Sequence, residues 1–203
     1  MKEFWDSRYS VETYAYGVEP NVFLKTVLPQ YEPKTILFPA EGEGRNAVFA
    51  AELGWKVSAF DQSSEAKKKA LKLAEKRGVT IDYAVCDIQD VPYKNEQFDA
   101  LVLIYVHLPA ALKSKFSKQL SSYLKKRWIC NYRSFSKNNL PFVIENPKVG
   151  GPRDAEMLCS KEEILQDFAD FEIIQLEEVI TELNEGEFHV GSGSVIRFVG
   201  RKN

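Results

Sequence analysis

Cysteine and histidine are scarce, with three cysteines (Cys86, Cys130, Cys159) and two histidines (His107, His189) among 203 residues. An odd, scattered set of thiols does not make a disulfide scaffold, and two distant histidines do not make a zinc module. That cysteine usage suits a reducing cytoplasm. Long apolar runs are missing too. The longest, Ala100–Val106, falls far short of the roughly 20 residues a bilayer requires. The opening Met1-Lys2-Glu3-Phe4-Trp5-Asp6 has no apolar core of a secretory signal. Nor is there an excess of one charge: 27 Lys and Arg stand against 29 Asp and Glu, a net charge of -2, which gives no bulk attraction to nucleic acid or to an anionic membrane. With no Ser/Gly/Pro-rich linker, low-complexity tract or repeat, one domain is expected over residues 1–203. What is present, 44% hydrophobic and 28% charged residues, is the composition of a globular chain long enough to bury its own core.

Short β-branched and aromatic runs alternate with helical patterns. Strands are expected at Thr35–Phe38, Lys56–Phe60, Thr80–Val85 and Phe98–Tyr105, and helices at Asn21–Leu28, Arg45–Leu53, Ser64–Arg77 and Ala110–Leu124. In Ser64–Arg77, Ser63 is an N-cap, Gly78 follows the C-terminus, and Ala66, Ala70, Leu71 and Ala74 form the apolar face. Its many cations then lie on a solvated face. Strand–helix–strand alternation implies right-handed crossovers and a mostly parallel sheet. Phe171–Leu183 and Phe188–Val199 are joined around Asn184-Glu185-Gly186 with no room for a helix, so they must form an antiparallel hairpin at one sheet edge. The expected architecture is α/β: a Rossmann-like, seven-stranded, mostly parallel sheet with an antiparallel C-terminal hairpin and helices on both faces.

After the first strand comes Ala40-Glu41-Gly42-Glu43-Gly44-Arg45-Asn46-Ala47, and Asp61 closes the second strand 19 residues after Gly42. Gly42, Gly44 and Ala47 fit G-x-G-x-x-G/A, a glycine turn that lets backbone approach a ligand, with an acid placed for ribose hydroxyls. The plain alternative is a tight turn and an ordinary capping Asp. A dinucleotide would put its pyrophosphate at this helix N-terminus. Glu41 and Glu43 oppose that, since like charges about 4 Å apart cost roughly 4 kcal/mol at an effective dielectric of 20. Arg45 is the one nearby cation in sequence, and it could equally take a carboxylate of the ligand. The balance favours S-adenosylmethionine, which is cationic and phosphate-free, over a nicotinamide dinucleotide. Asp87, after the third strand, could accept the adenine amino proton or simply cap a turn.

With these residues in view, the chain resembles the class I S-adenosylmethionine-dependent methyltransferases, in the small tellurite-resistance and thiopurine methyltransferase-like branch. The resemblance runs through Trp5-Asp6-Ser7-Arg8-Tyr9, Tyr16-Gly17-Val18-Glu19-Pro20-Asn21, the glycine turn, Asp61, Asp87 and Gly150-Gly151-Pro152-Arg153-Asp154. It implies that Ala40, Gly42, Arg45 and Asn46 surround the methionine end of the cofactor; Phe38-Pro39 stands where most of the family has an acidic residue, so Glu41 at the methionine amino group is inferred rather than matched. Asp61, Gln62 and Ser63 would meet ribose and adenine, and Asp87 and Ile88 the adenine. Tyr105, Val106 and His107 would face the transferable methyl. Residues 1–30 would supply a lid, with Trp5, Arg8 and Tyr16 over the cofactor, and Ser136–Leu158 an acceptor-side loop. His107 could deprotonate or hydrogen-bond an acceptor with a pKa suited to neutral pH; Tyr16 is the second candidate at the reacting end. No metal is needed, S-adenosylhomocysteine would be the product, and a monomer or homodimer acting on a small molecule in the cytoplasm is expected. The alternatives are a NAD-dependent oxidoreductase and a cofactor-binding protein with an impaired acceptor site.

One segment departs from the family. A Gly-Gly turn and an apolar fifth strand are expected where Lys126-Arg127-Trp128-Ile129-Cys130-Asn131-Tyr132-Arg133-Ser134-Phe135 stands. Permitted codons for this segment, shifted by one base, read Asn-Gly-Gly-Tyr-Val-Ile-Ile-Glu-Ala-Phe, which raises a compensated frameshift in the gene or clone. If Asn131 and Arg133 are real, they place polar groups in a buried strand at a cost of a few kcal/mol each.

Overall fold

The computed structural model describes residues 2–203. Seven strands make one mixed sheet in the order β3-β2-β1-β4-β5-β7-β6. The chain divides into two compact bodies, residues 1–92 with 185–187, and residues 93–184 with 188–203.

In the first body, α1 (Lys2–Tyr9) and α2 (Val22–Val27) precede β1 (Thr35–Pro39), α3 (Arg45–Glu52), β2 (Lys56–Asp61), α4 (Ser64–Lys76) and β3 (Asp82–Val85). The strands pair in parallel, with Thr35 opposite Lys56 and Asp61 opposite Val85. Asn21 caps α2 by accepting from Phe23 N at 3.1 Å, and Ser63 caps α4 by accepting from Ala66 N at 3.2 Å. The buried face of α4 is Ala66, Ala70, Leu73 and Ala74. Leu71, expected on that face, is 40% exposed; Leu73 sits three residues after Ala70 and takes its place.

The second body holds β4 (Phe98–Ile104), α5 (Ala110–Ser122), β5 (Leu124–Phe135), α6 (Leu140–Glu145), α7 (Lys161–Asp167), β6 (Phe171–Glu185) and β7 (His189–Lys202). β4 and β5 are parallel, β5 and β7 antiparallel. The connection from Ser136 to Leu158 is not irregular: 3₁₀ turns and α6 fill it, and buried Asn139 ties it together by donating to Gly150 O at 3.1 Å and accepting from Ser194 N at 3.0 Å. Arg153 in this stretch is exposed.

β5 forms despite its composition, with adjustments. Phe98 pairs with Leu124 and Ala100 with Ile129, so a bulge sends Lys126 and Arg127 to solvent. Arg127 there takes φ +66, a left-handed conformation that side chains resist. From Ile129 onward every residue of the strand is buried, including Asn131 and Arg133. Neither polar atom of the Asn131 amide has a hydrogen-bond partner.

Candidate active site

β1 delivers the chain into a turn in which Ala40, Gly42 and Gly44 all have positive φ (+48, +66 and +87). One carboxyl oxygen of Glu41 accepts the backbone N–H groups of Asn46 at 2.9 Å and Ala47 at 2.8 Å, capping α3. Burial pushes this carboxyl up to about 7, opposed by those two N–H groups and by Arg45. Gly42 donates its N–H to Asp61 Oδ2 at 3.1 Å, and its carbonyl accepts from the Tyr83 hydroxyl at 2.6 Å. Asp61 Oδ1 accepts from Ser63 N at 2.9 Å. Burial raises Asp61 to about 6, with Asp6 adding to the rise and the N–H groups of Ser63, Gly42 and Gln62 opposing it.

The two glycines make room for the protein itself. A Cβ on Gly42 would lie 2.8 Å from the Tyr9 hydroxyl, and one on Gly44 would lie 2.8 Å from Ala70 Cα on α4. The charge argument from sequence also needs correcting. Lys69, 26 residues on from Glu43, pairs with it at 2.7 Å and also reaches the Thr13 carbonyl, so Glu43 carries its own counter-ion. Arg45 does not stand as an open cation either: it pairs with Glu185 at 2.7 Å, both buried, and donates to the Tyr16 carbonyl at 3.1 Å. Asn46 accepts Asn21 N at 2.9 Å through its side chain.

Residues of α1 and the following loop lie at this turn. Tyr9 is buried, and Trp5 stacks on it with ring centroids 5.5 Å apart. Asp6 accepts from the Ser63 hydroxyl. Arg8 donates to the Tyr16 hydroxyl at 2.9 Å and lies over the Phe4 and Trp5 rings. Burial pushes the Tyr9 and Tyr16 phenols up, so both stay protonated. Tyr9 and Tyr83 both have their hydroxyls at Gly42. Cys86 N donates to the Asp61 carbonyl at 3.1 Å, bringing the start of Asp87-Ile88 to the end of β2. Asp87 is exposed and accepts from Gln89 N at 3.0 Å, the turn-capping arrangement; Gln62 and Ile88 are half-buried.

The second body holds Tyr105, Val106 and His107. Tyr105, at φ +55, donates its N–H to Arg133 O at 2.8 Å and stacks on Phe135 at 4.7 Å. His189 meets Tyr105 edge-on at 4.5 Å, and His107 stacks on Phe135 at 5.8 Å. Val106 is half-buried. Both ring nitrogens of His107 are buried and without a hydrogen-bond partner. Burial, helped by His189, pushes this imidazole down to about 3, which overturns the expectation of a pKa near neutrality. The ring is neutral throughout the physiological range. Among the described residues no group of three or more His, Cys, Asp or Glu side chains is placed to hold a metal, and no helix is long and apolar enough to cross a membrane.

This strand–turn–helix arrangement has a counterpart in a known family: residues 36–127 match the methyltransferase domain family. The match covers 92 of the 203 residues, so this stretch is similar to a methyltransferase domain. S-adenosylmethionine is the cofactor that goes with that domain. Solved structures repeat the fold at low identity. One, solved for the conversion of a disulfide bond into a thioacetal group during echinomycin biosynthesis, aligns over 100% of this chain and 92% of its own at 16% identity and TM-score 0.78. TehB from Haemophilus influenzae aligns over 100% of this chain and 67% of its own, at 16% identity and TM-score 0.72. Magnesium protoporphyrin IX methyltransferase (ChlM) from Synechocystis PCC 6803, solved with bound SAH, aligns over 89% and 80%, at 18% identity and TM-score 0.67. No curated protein matches this sequence.

Proposed function

We propose that residues 1–203 act as one cytoplasmic class I enzyme of the tellurite-resistance and thiopurine methyltransferase-like branch, moving a methyl group from S-adenosylmethionine to a small molecule with a soft sulfur nucleophile. The observation that carries the choice of ligand is Glu41. The α3 N–H groups that a diphosphate would need are already bound by its carboxylate. Asp61 suits an adenosyl group, because beyond the backbone N–H groups of Gly42, Gln62 and Ser63 its carboxylate keeps acceptor capacity for a sugar hydroxyl. When bound, the cofactor supplies the activated methyl; the protein's work is to hold, align and exclude water. Asp61 holds the ribose, with Asp87 and Ile88 at the adenine. Trp5, Tyr9 and Tyr16 cover the site, and an aromatic face near a sulfonium gains about 0.5–2 kcal/mol. His107, neutral and set among aromatic rings, accepts a hydrogen bond from the methyl acceptor but is too weak a base to take its proton. Support for sulfur as the acceptor comes from the neighbour of echinomycin biosynthesis, whose substrate is a disulfide.

A thermal-shift comparison tests this reading. S-adenosylhomocysteine at 100 times its dissociation constant adds about 2.7 kcal/mol to stability, and NAD adds nothing. Stabilisation by NAD alone overturns the reading in favour of an oxidoreductase. Binding of S-adenosylhomocysteine without turnover of any thiol, oxyanion or amine would leave a cofactor-binding protein instead.

A further inference from the structure

The segment between α1 and α2, residues 10–21, has no regular structure of its own, yet it carries Tyr16. It is held from α4 by Lys69 on the Thr13 carbonyl and from the glycine turn by Glu43, and it also meets Glu185, Gly186 and Glu187, which belong to the first body although the strands they join belong to the second. Glu185 is buried. Its Oε2 accepts from Arg45 Nη2 at 2.7 Å and its Oε1 from Asn21 Nδ2 at 2.8 Å. Arg45 spends its other terminal nitrogen on the Tyr16 carbonyl at 3.1 Å. Glu187 donates its N–H to the Ala15 carbonyl at 3.0 Å. Gly186, at φ +66, lies so close to the segment that a Cβ there would come within 2.6 Å of both Gly17 N and Tyr16 C, and closer still to the Ala15 carbonyl oxygen.

We infer that the hairpin tip Glu185–Glu187 is a clasp that fixes the Ala15–Gly17 backbone and so sets Tyr16, with Glu185 as a positioning residue acting through Arg45. Three features of the contact support this. A buried ion pair is a poor source of net stability, because desolvation offsets the attraction, whereas it defines geometry well. The pair is satisfied on both sides by neighbours that are themselves part of the loop or of the helix starts flanking it. And the contact at Gly186 is backbone against backbone, so it admits one arrangement only. The Tyr16 hydroxyl in turn receives Arg8 from α1 at 2.9 Å, so the clasp reaches the cover over the glycine turn. Its effect on the cofactor rests on the S-adenosylmethionine reading above; its hold on the loop does not.

Hydrogen-exchange mass spectrometry and calorimetry on the full chain test it. Glu185→Gln presents an amide where Arg45 needs a carboxylate, and Gly186→Ala drives a methyl into the loop. Gly78→Ala is the control, since Gly78 has almost the same φ (+69) and nothing within 4 Å. Exchange across residues 10–20 is expected to rise at least about tenfold in both tip variants and to stay at the wild-type rate in the control. Affinity for S-adenosylhomocysteine is expected to weaken about tenfold or more in the tip variants and within about twofold in the control. Should Gly186→Ala fail to fold, Glu185→Gln alone decides. Wild-type exchange in residues 10–20 of the tip variants overturns the clasp, whatever happens to melting temperature, and so does a loss of affinity that comes without faster exchange. If the wild-type chain does not bind S-adenosylhomocysteine while the exchange difference persists, the cofactor reading fails and the clasp stands.

Discussion

Arg133 on β5 stands directly opposite Arg197 on β7, two cations facing each other across an antiparallel pair. Arg133 also lies 5.5 Å from the Tyr105 ring, and Arg197 reaches Glu177 on β6 at 3.2 Å, so each has found some relief. The opposition is still unfavourable. It coincides with two other awkward positions in the same strand, Arg127 in left-handed backbone and the unsatisfied amide of Asn131. Reading the segment in the shifted frame would put glycine, isoleucine and glutamate at these three positions. Each substitution is therefore expected to stabilise: Asn131→Ile by about 1–3 kcal/mol through removal of an unsatisfied buried amide, and Arg127→Gly by about 0.5–1 kcal/mol. Arg133→Glu gains through a cross-strand pair with Arg197, about 0.2–1 kcal/mol. Urea midpoints check this; an unchanged or lower midpoint for Asn131→Ile refutes the account of β5. An intact mass separately tests whether the chain as expressed carries the polar strand.

Asp61→Asn is expected to weaken S-adenosylhomocysteine binding by about 1–3 kcal/mol, since charged acceptors make the stronger hydrogen bonds. With Asp61 raised to about 6, wild-type affinity falls as pH drops below that value, because the protonated carboxyl is a poorer acceptor. The asparagine variant lacks this dependence. Calorimetry between pH 5 and 8 reads both, and equal affinities for the two proteins would mean that the ribose sits elsewhere.

His107 is depressed from 6.5 to about 3, so the unfolded chain binds a proton that the folded one refuses between those values. The stabilisation from keeping this ring neutral is complete above pH 6.5 and is lost as pH falls through about 3, a total on the order of 5 kcal/mol at about 1.4 kcal/mol per unit. His107→Leu removes that dependence. The difference in unfolding free energy between wild type and variant should therefore shift steadily against the wild type from pH 6.5 to 4; a constant difference would show that the ring is not held neutral by burial.

Glu41 titrates in the opposite sense. Its folded pKa is raised from 4.5 to about 7, so the folded state holds the extra proton, and stability present below pH 4.5 is lost as pH rises through about 7. Glu41→Gln flattens that slope. Glu41→Ala removes the acceptor for Asn46 N and Ala47 N and costs about 0.5–2 kcal/mol, the usual range for a lost helix cap. Thermal melts across pH 4.5–7.5 check both variants.

The frame of the fold was legible in sequence because it depends on local pattern. The first two strands and the α4 helix lie within a residue of where periodicity and caps put them, and the absence of room between Leu183 and Phe188 was enough to require a hairpin. Helix α7 was missed, although Ser160 and Glu163 form a capping box that announces it. The charges around the glycine turn were misjudged for a different reason. Neighbours in sequence were weighed, but the partners of Glu43 and Arg45 arrive from 26 and 140 residues away. Tyr9 likewise carries no signal of its own, being one of several aromatics near the N-terminus; only the approach to Gly42 singles it out.

That Asn21 and Arg45 are completed by Glu185 bears on how the molecule is made. During synthesis the first ninety-two residues emerge early and can pair their three strands, yet the carboxylate that neutralises Arg45 follows it by 140 residues. Until then the nascent N-terminal half holds an unmatched guanidinium beside a loop anchored only from α4 and the glycine turn. Completion of the N-terminal body therefore waits on the hairpin tip, and truncation before Glu185 would leave that body without its counter-ion.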